Sequence, residues 1–517
     1  MSAPGLRPAP ATGRNVLPLT AGLVALALLT RVWPFLAAGG LREGESDSAL
    51  FALGVWRWSR LGPHATLLYD SHFSPGYYWF CGGLARLAHW PLAAITPALD
   101  LLSAAAALAT AVCAFAVARR LVSLSAAFWS TMLFLLAPGV WMLGLEPHPQ
   151  GLGIVLVLLA FYLCLRAGEA PARRWALELG WVAALVAALL VRNDAIFLYP
   201  AFLLCALAPA WRPRFRAQRA VVIAAGLAIA AAFYFGLRSV MLAESLAASE
   251  ATSWRRIVGF LGHLSPLRQL LPVVTGLGPL LWLFAAAGLV LLWRFGSRAR
   301  FDLALLWILV WAAPGSLFWL LIRGNNARHM AIYSLPLLWF ACEGWARLQP
   351  RRRAASWLAL AAAAALVLDV LLVPASSDVT IYPSGNVPAS YRDLARREND
   401  MRALARALAA EARPGATVHY LGTATNPYLI LYAREENPGA SLFHAGVVTA
   451  LSWPRGGRLI FVNVFSGADF VAAARRLARV HSLEYDARGR HLWFLGQEWT
   501  WLPLHRRWYV ARARPGV

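Results

Sequence analysis

The chain has 517 residues, of which 59% are hydrophobic and 14% charged, a balance outside that of soluble globular domains. Its formal charge of +23 comes from 48 basic residues against 25 acids, and all 48 are arginine. The arginines fall in the gaps between apolar runs, so membrane orientation explains them better than a nucleic-acid partner, and none is expected. The five cysteines form no CxxC pair and sit mostly within apolar runs, as small core residues do.

Taken in order, the chain begins with a short tail, 1–15, carrying Arg7 and Arg14. The apolar run after it reads as an uncleaved anchor, because many further runs of spanning length follow. Eleven candidate spans lie near 16–38, 94–118, 122–143, 150–166, 175–192, 195–210, 219–241, 271–293, 302–322, 329–348 and 354–374. The expected fold is therefore a mostly α membrane protein of about eleven transmembrane helices over 16–374.

Arginine clusters at 119–120, 166–174, 211–219, 294–300 and 349–353 fix an orientation, because all five fall on one side if the N-terminus is cytoplasmic. The opposite, outer side then receives 39–93, 144–149, 192–194, 242–270, 323–328 and everything after 374. The long outer connection 39–93 reads as carrying interfacial helices, since Asp47 is followed by SALFALGVWRW, an amphipathic run with interface-type aromatics.

Beyond 374 the composition changes, and 375–517 reads as a small α/β domain outside the membrane. A polar linker leads to an amphipathic helix over 391–411. Strands are expected at 417–422 and 458–464, a helix at 469–480, and a final strand at 491–496.

The outer side holds the residues that point to chemistry. Glu43, Glu45 and Asp47 follow the first span, and carboxylates there suit a general base or a hard cation. Asp70 and His72 precede Ser74-Pro75-Gly76-Tyr77-Tyr78-Trp79, where Pro-Gly reads as a turn and the aromatics as an interface belt. Glu146 and His148 lie in a proline-bounded outer turn, as a cation pair or as helix capping. Arg192-Asn193-Asp194 interrupts an apolar stretch, where the two charges act on a ligand or simply pair. Arg323, Arg328 and His329 stand against the orientation rule at the mouth of a late span, and an anionic phosphate there would account for them.

These motifs, in this order, resemble the GT-C superfamily of integral-membrane glycosyltransferases, and are similar to those of bacterial protein O-mannosyltransferase-like and lipid A aminoarabinose transferase enzymes. Asp47-Ser48-Ala49-Leu50-Phe51 stands where that group has Asp-Glu-x-x-Tyr/Phe, so Ser48 replaces the second acid. Ser74 to Trp79 matches a Pro-Pro-Leu-Tyr-Tyr-Trp run, and Arg328-His329 to Pro336 resembles an Arg-Tyr motif with His329 in place of tyrosine. The resemblance implies inverting transfer of a sugar from a polyprenyl-phosphate donor to a glycan, lipid or protein acceptor, at the periplasmic face of a bacterial inner membrane. It makes Asp47 the general base, with Glu45 as a substitute second acid. Arg328, Arg323, His329 and Arg192 would then hold the donor phosphate. Glu146, His148, Asp194, His72, Tyr77 and Tyr78 would orient the acceptor. Any cofactor would be a divalent cation (Mg, Mn or Zn) on Asp47, Glu146 and His148. The membrane lipid itself is a further partner. The competing class is a polytopic transporter or lipid flippase, which would place paired broken helices and charges at mid-membrane depth.

Overall fold

The computed structural model describes residues 13–37, 46–62, 75–137, 148–167, 174–207, 216–236, 279–322 and 331–348, seven strands between 417 and 513, and the single positions 140, 143, 169 and 406. By internal contacts the chain divides into a helical unit and a second unit made of Leu41–Leu53, Trp90–Thr96 and Arg392–Val517.

The helical unit follows the arginine punctuation of the sequence. The helices are α1 (Gly13–Ala37), α2 (Ser46–Leu61), α3 (Pro75–Leu87), α4 (Leu92–Leu121), α5 (Leu124–Leu136), α6 (Pro149–Ala167) and α7 (Arg174–Val191), of which residues 46–53 of α2 and 92–96 of α4 group with the second unit. The short α8 (Tyr199–Leu203), α9 (Arg216–Gly236), α10 (Pro279–Phe295), α11 (Arg298–Ile322) and α12 (Leu335–Ala346) complete the set. Among the described residues five helices are long and apolar enough to cross a membrane, namely α4, α6, α7, α9 and the 298–318 part of α11. The protein is a multi-pass membrane protein. The expected span at 354–374 lies outside the described residues.

Two expectations need correction. The described part of the run 195–210, up to Leu207, is not one continuous α-helix. It forms a 3₁₀ turn (Asn193–Leu198), the short α8, and a second 3₁₀ turn (Leu204–Leu207). Pro200 falls in the first turn of α8, where its missing N–H costs nothing but where it also prevents a helix from running through. Likewise Pro75-Gly76 is not a turn: Pro75 opens α3, the position at which a preset φ favours a helix start.

The centre of the unit is an aromatic stack. Phe161 of α6 lies on Phe202 of α8 with ring centroids 3.8 Å apart, and on Trp311 of α11 at 4.5 Å. Trp339 of α12 meets Trp311 edge-on at 5.4 Å. Buried ions tie the Arg-rich helix ends together. Glu178 of α7 accepts from Arg219 of α9 and from Trp181 Nε1 at 2.7 Å, while Arg219 also donates to the Cys164 carbonyl of α6 at 3.0 Å. Glu343 of α12 accepts the Ser123 backbone N–H at 2.9 Å, closing the entry to α5. At the other end of α5, the buried Arg31 of α1 donates to the Leu135 carbonyl at 2.6 Å. A cation at a helix C-terminus satisfies both the orphan carbonyl and the dipole, so Arg31 is an arginine far from the Arg-rich ends with a structural reason to be there.

In the second unit, seven strands form one sheet in the order β2-β1-β3-β7-β6-β5-β4. These are β1 (Thr417–Gly422), β2 (Ser441–His444), β3 (Arg458–Asn463), β4 (Glu484–Tyr485), β5 (His491–Phe494), β6 (Gln497–His505) and β7 (Trp508–Ala513). β2, β1 and β3 run parallel, and the rest is antiparallel. The expected strands at 417, 458 and 491 are present. The last of them is not final, however, because the β6–β7 hairpin follows it. The helix expected at 469–480 lies outside the described residues, as does all of 391–411 except Arg406.

Candidate functional site

The apolar helix α7 ends where its sequence turns polar. Arg192 N–H makes the last helical bond, to the Ala188 carbonyl at 2.7 Å, and Arg192 itself is extended (φ −149°, ψ 111°). That break throws the Arg192 side chain back over Asp194, at the start of the 3₁₀ turn. The pair is bidentate, with Nε to Oδ1 at 3.1 Å and Nη2 to Oδ2 at 2.5 Å, and both side chains are largely buried. Two parallel N–H···O bonds from one guanidinium are the strong form of this interaction. Of the two alternatives the sequence left open, the pairing is present.

The pair lines a cavity of about 30 Å³, room for a couple of waters. Its floor comes from the first turns of α6, where Gln150, Gly153, Ile154 and Val157 face it. Gly153 is what lets Arg192 lie there, because a Cβ at 153 would sit 3.0 Å from Arg192 Cγ. The remaining wall is Ala195, Leu198, Ile332 and Tyr333. Trp311 Nε1 donates to the Ile332 carbonyl at 2.9 Å, so α11 holds the short 3₁₀ turn (Ala331–Ser334) that presents Tyr333. The wall is mostly apolar, and its polar groups converge from three elements.

The second motif comes close to this place. A Cβ at Gly76 would lie 2.8 Å from the Leu190 carbonyl carbon, so the first turn of α3 crosses the last turn of α7 with backbones nearly touching. Tyr77 and Tyr78 are each 4% exposed and packed edge to face at 6.0 Å, in the interior rather than in an interface belt. Tyr78 fills the space over Gly54 of α2. Burial, and then the neighbouring Cys81 thiol, push the Tyr77 phenol well above its usual range, so it stays a neutral hydrogen-bonding group.

His148 is buried just ahead of α6. Asp47 lies in the first turn of α2, and its side chain is outside the described residues, as are Glu45, His72, Glu146, Arg323, Arg328 and His329 in full. Among the described residues no three His, Cys, Asp or Glu side chains cluster as a metal site would require, and His148 is the one proposed cation ligand whose side chain is described. The structure thus brings together Arg192, Asp194, Gln150 and Tyr333, with the Tyr77–Tyr78 helix beside them. Gly153 carried no local signal, since it does not break the apolar pattern around it, and Gly76 read only as part of a turn.

Residues 72–235 match the sequence profile of a family described as dolichyl-phosphate-mannose-protein mannosyltransferase. That segment contains α3 to α7, the Arg192–Asp194 pair and most of the cavity wall. Two crystal structures of ArnT from Cupriavidus metallidurans are similar in fold over almost the whole chain. The form bound to undecaprenyl phosphate is 17% identical and covers 96% of this chain and 98% of that one, with a TM-score of 0.54. The apo form is 16% identical and covers 96% and 97%, with a TM-score of 0.52. No curated protein sequence matches.

Proposed function

We propose, from the premise that this chain has the fold of the GT-C glycosyltransferases, that it transfers a sugar from a polyprenyl-phosphate donor to an acceptor at the face opposite the Arg-rich connections. The observation that carries this reading is the buried Arg192–Asp194 pair, lining a cavity inside the segment that matches the mannosyltransferase profile. A site paired in this way is preorganised: neither group needs to reorganise as charge develops, which is the electrostatic part of catalysis.

In the proposed reaction the acceptor oxygen attacks the anomeric carbon and the bond from that carbon to the phosphate oxygen breaks. The acceptor proton passes to the Asp47 carboxylate, and the polyprenyl phosphate leaves. One base and one stabilised leaving group are enough for such an inverting displacement. Arg328, with Arg323, His329 and Arg192, would neutralise the leaving phosphate. Asp194, Glu146 and His148 would orient the acceptor; a divalent cation, if held by Asp47, Glu146 and His148, would add positive charge beside the phosphate. Tyr77 and Tyr78 support the wall from α3. The five arginine-rich connections support a cytoplasmic N-terminus with 375–517 on the opposite side, and the resemblance to GT-C enzymes supports a bacterial inner membrane with that side periplasmic.

The test is a transfer assay with the purified full chain in lipid nanodiscs, given a radiolabelled polyprenyl-phosphate sugar and a membrane extract as the acceptor source. Label moving from donor to acceptor supports the reading. Movement of intact labelled donor between leaflets, without transfer, would replace it with a flippase.

A further inference from the structure

At the other end of α6 from the cavity, roughly 28 Å away along a 19-residue helix, three arginines surround one carboxylate. Arg120, in the last turn of α4, clamps Glu169 with Nε to Oε1 at 3.0 Å and Nη2 to Oε2 at 3.3 Å. Its Nη1 donates to the Ala116 carbonyl at 2.7 Å, and its guanidinium lies 4.6 Å over the Tyr162 ring. Arg166, in the last turn of α6, donates to the same Glu169 Oε2 at 3.1 Å.

Arg119 stands within electrostatic reach of Glu169 and Tyr162 but makes no hydrogen bond to the carboxylate. It is half-buried and donates no side-chain hydrogen bond among the described residues. Its charge stands beside the like charge of Arg120. The C-terminal dipoles of α4 and α6 explain why cations gather here. They do not account for the stoichiometry: among the described residues three guanidinium groups stand around one carboxylate, an excess of two positive charges. Arg120 is fully engaged, so the excess rests on Arg119 and on the outward half of Arg166.

We propose that Arg119 and Arg166 bind the phosphodiester of an acidic phospholipid seated between the ends of α4 and α6. A guanidinium fork matches two phosphate oxygens, and a partly desolvated one gains most from such a partner. The neighbouring Tyr162, with its ring on one face and its hydroxyl at the other end, is the side chain that favours the headgroup level. Inorganic phosphate offers the same oxygens but no acyl chains to lie along the apolar flanks of the two helices.

The experiment is native mass spectrometry of the full chain released from nanodiscs containing equal phosphatidylglycerol and phosphatidylcholine. The wild type is expected to retain one phosphatidylglycerol preferentially. Arg119→Ala is expected to reduce that preference about fivefold, as the loss of one arginine contact at a membrane surface would, and Arg119→Lys to restore part of it. Arg298→Ala, which removes an exposed arginine paired with Asp302 on the same Arg-rich side, serves as the control and leaves the preference unchanged. Melting of each variant in phosphatidylcholine alone checks the fold. Should Arg119→Ala melt early, Arg166→Ala carries the test with the same expected loss. Equal retention of the two lipids by the wild type, or an unchanged preference in both variants, overturns the proposal. Displacement of the retained lipid by millimolar inorganic phosphate would overturn the lipid assignment in favour of a simple anion site.

Discussion

Gly153 and Arg192 touch: the hydrogen of the glycine faces Arg192 Cγ, at a point where a methyl group would stand 3.0 Å away. Replacing Gly153 with alanine has two opposed effects. Alanine gains about 1 kcal/mol of helix propensity over glycine in the interior of α6. Overpacking against Arg192 costs about 1–3 kcal/mol. The net change in stability should therefore be small, while the Arg192–Asp194 pair is pushed out of register with the cavity. Gly153→Ala is expected to shift the melting temperature little and to reduce transfer at least tenfold, which requires only about 1.4 kcal/mol at the transition state. A melting curve beside an initial-rate measurement checks it.

The Arg192–Asp194 pair itself should show strong coupling. Removing one partner of a largely buried pair leaves an uncompensated charge, worth about 3–5 kcal/mol in buried cases. Arg192→Met and Asp194→Leu are each expected to destabilise, whereas the double variant should be less destabilised than the sum of the two. A double-mutant cycle in detergent unfolding measures the difference. Additive losses would mean that the pair contributes nothing as a pair.

The pair also shows how far the sequence could be read. Arg192 and Asp194 stood out because charges in an apolar stretch are rare, and the helix ends were legible because arginines mark them. The cavity was not legible, because it depends on the absence of a side chain at Gly153, as the α3–α7 crossing depends on Gly76, and these only matter once the helices are packed. Arg31 was hidden for a related reason: inside an apolar span it reads as an exception, and its reason lies over a hundred residues away, at the Leu135 carbonyl. In the sheet, Pro503 lies within β6, where a proline cannot donate to the ladder. The chain accommodates it with a register irregularity between Pro503 and His505.

A control follows from the Arg-rich end. Arg219 is 1% exposed and is a principal partner of Glu178, which also holds Trp181. Arg219→Leu leaves the Glu178 carboxylate short of compensation and should cost about 3 kcal/mol of stability. Glu178 lies roughly 20 Å along α7 from Arg192. Transfer per folded molecule and the KM for donor should therefore be unchanged, and kinetics normalised to the folded fraction check this. A raised KM would mean that the two ends of α7 are coupled.

The final prediction separates the base from the phosphate site. Asp47 stands in the first turn of α2, where an acid is also favoured by the helix dipole, so Asp47→Asn should lower stability by well under about 1 kcal/mol. If Asp47 takes the acceptor proton, the same change removes the step itself, and kcat should fall by about 10²–10⁴ while donor binding is retained. Arg328→Ala is expected to do the reverse, weakening donor binding first because a guanidinium on phosphate acts in the ground state as well as the transition state. Equilibrium binding of a non-transferable polyprenyl phosphate, measured beside single-turnover transfer, distinguishes the two. Near-normal turnover in Asp47→Asn would remove it as the base, and unchanged donor affinity in Arg328→Ala would move the phosphate to other arginines.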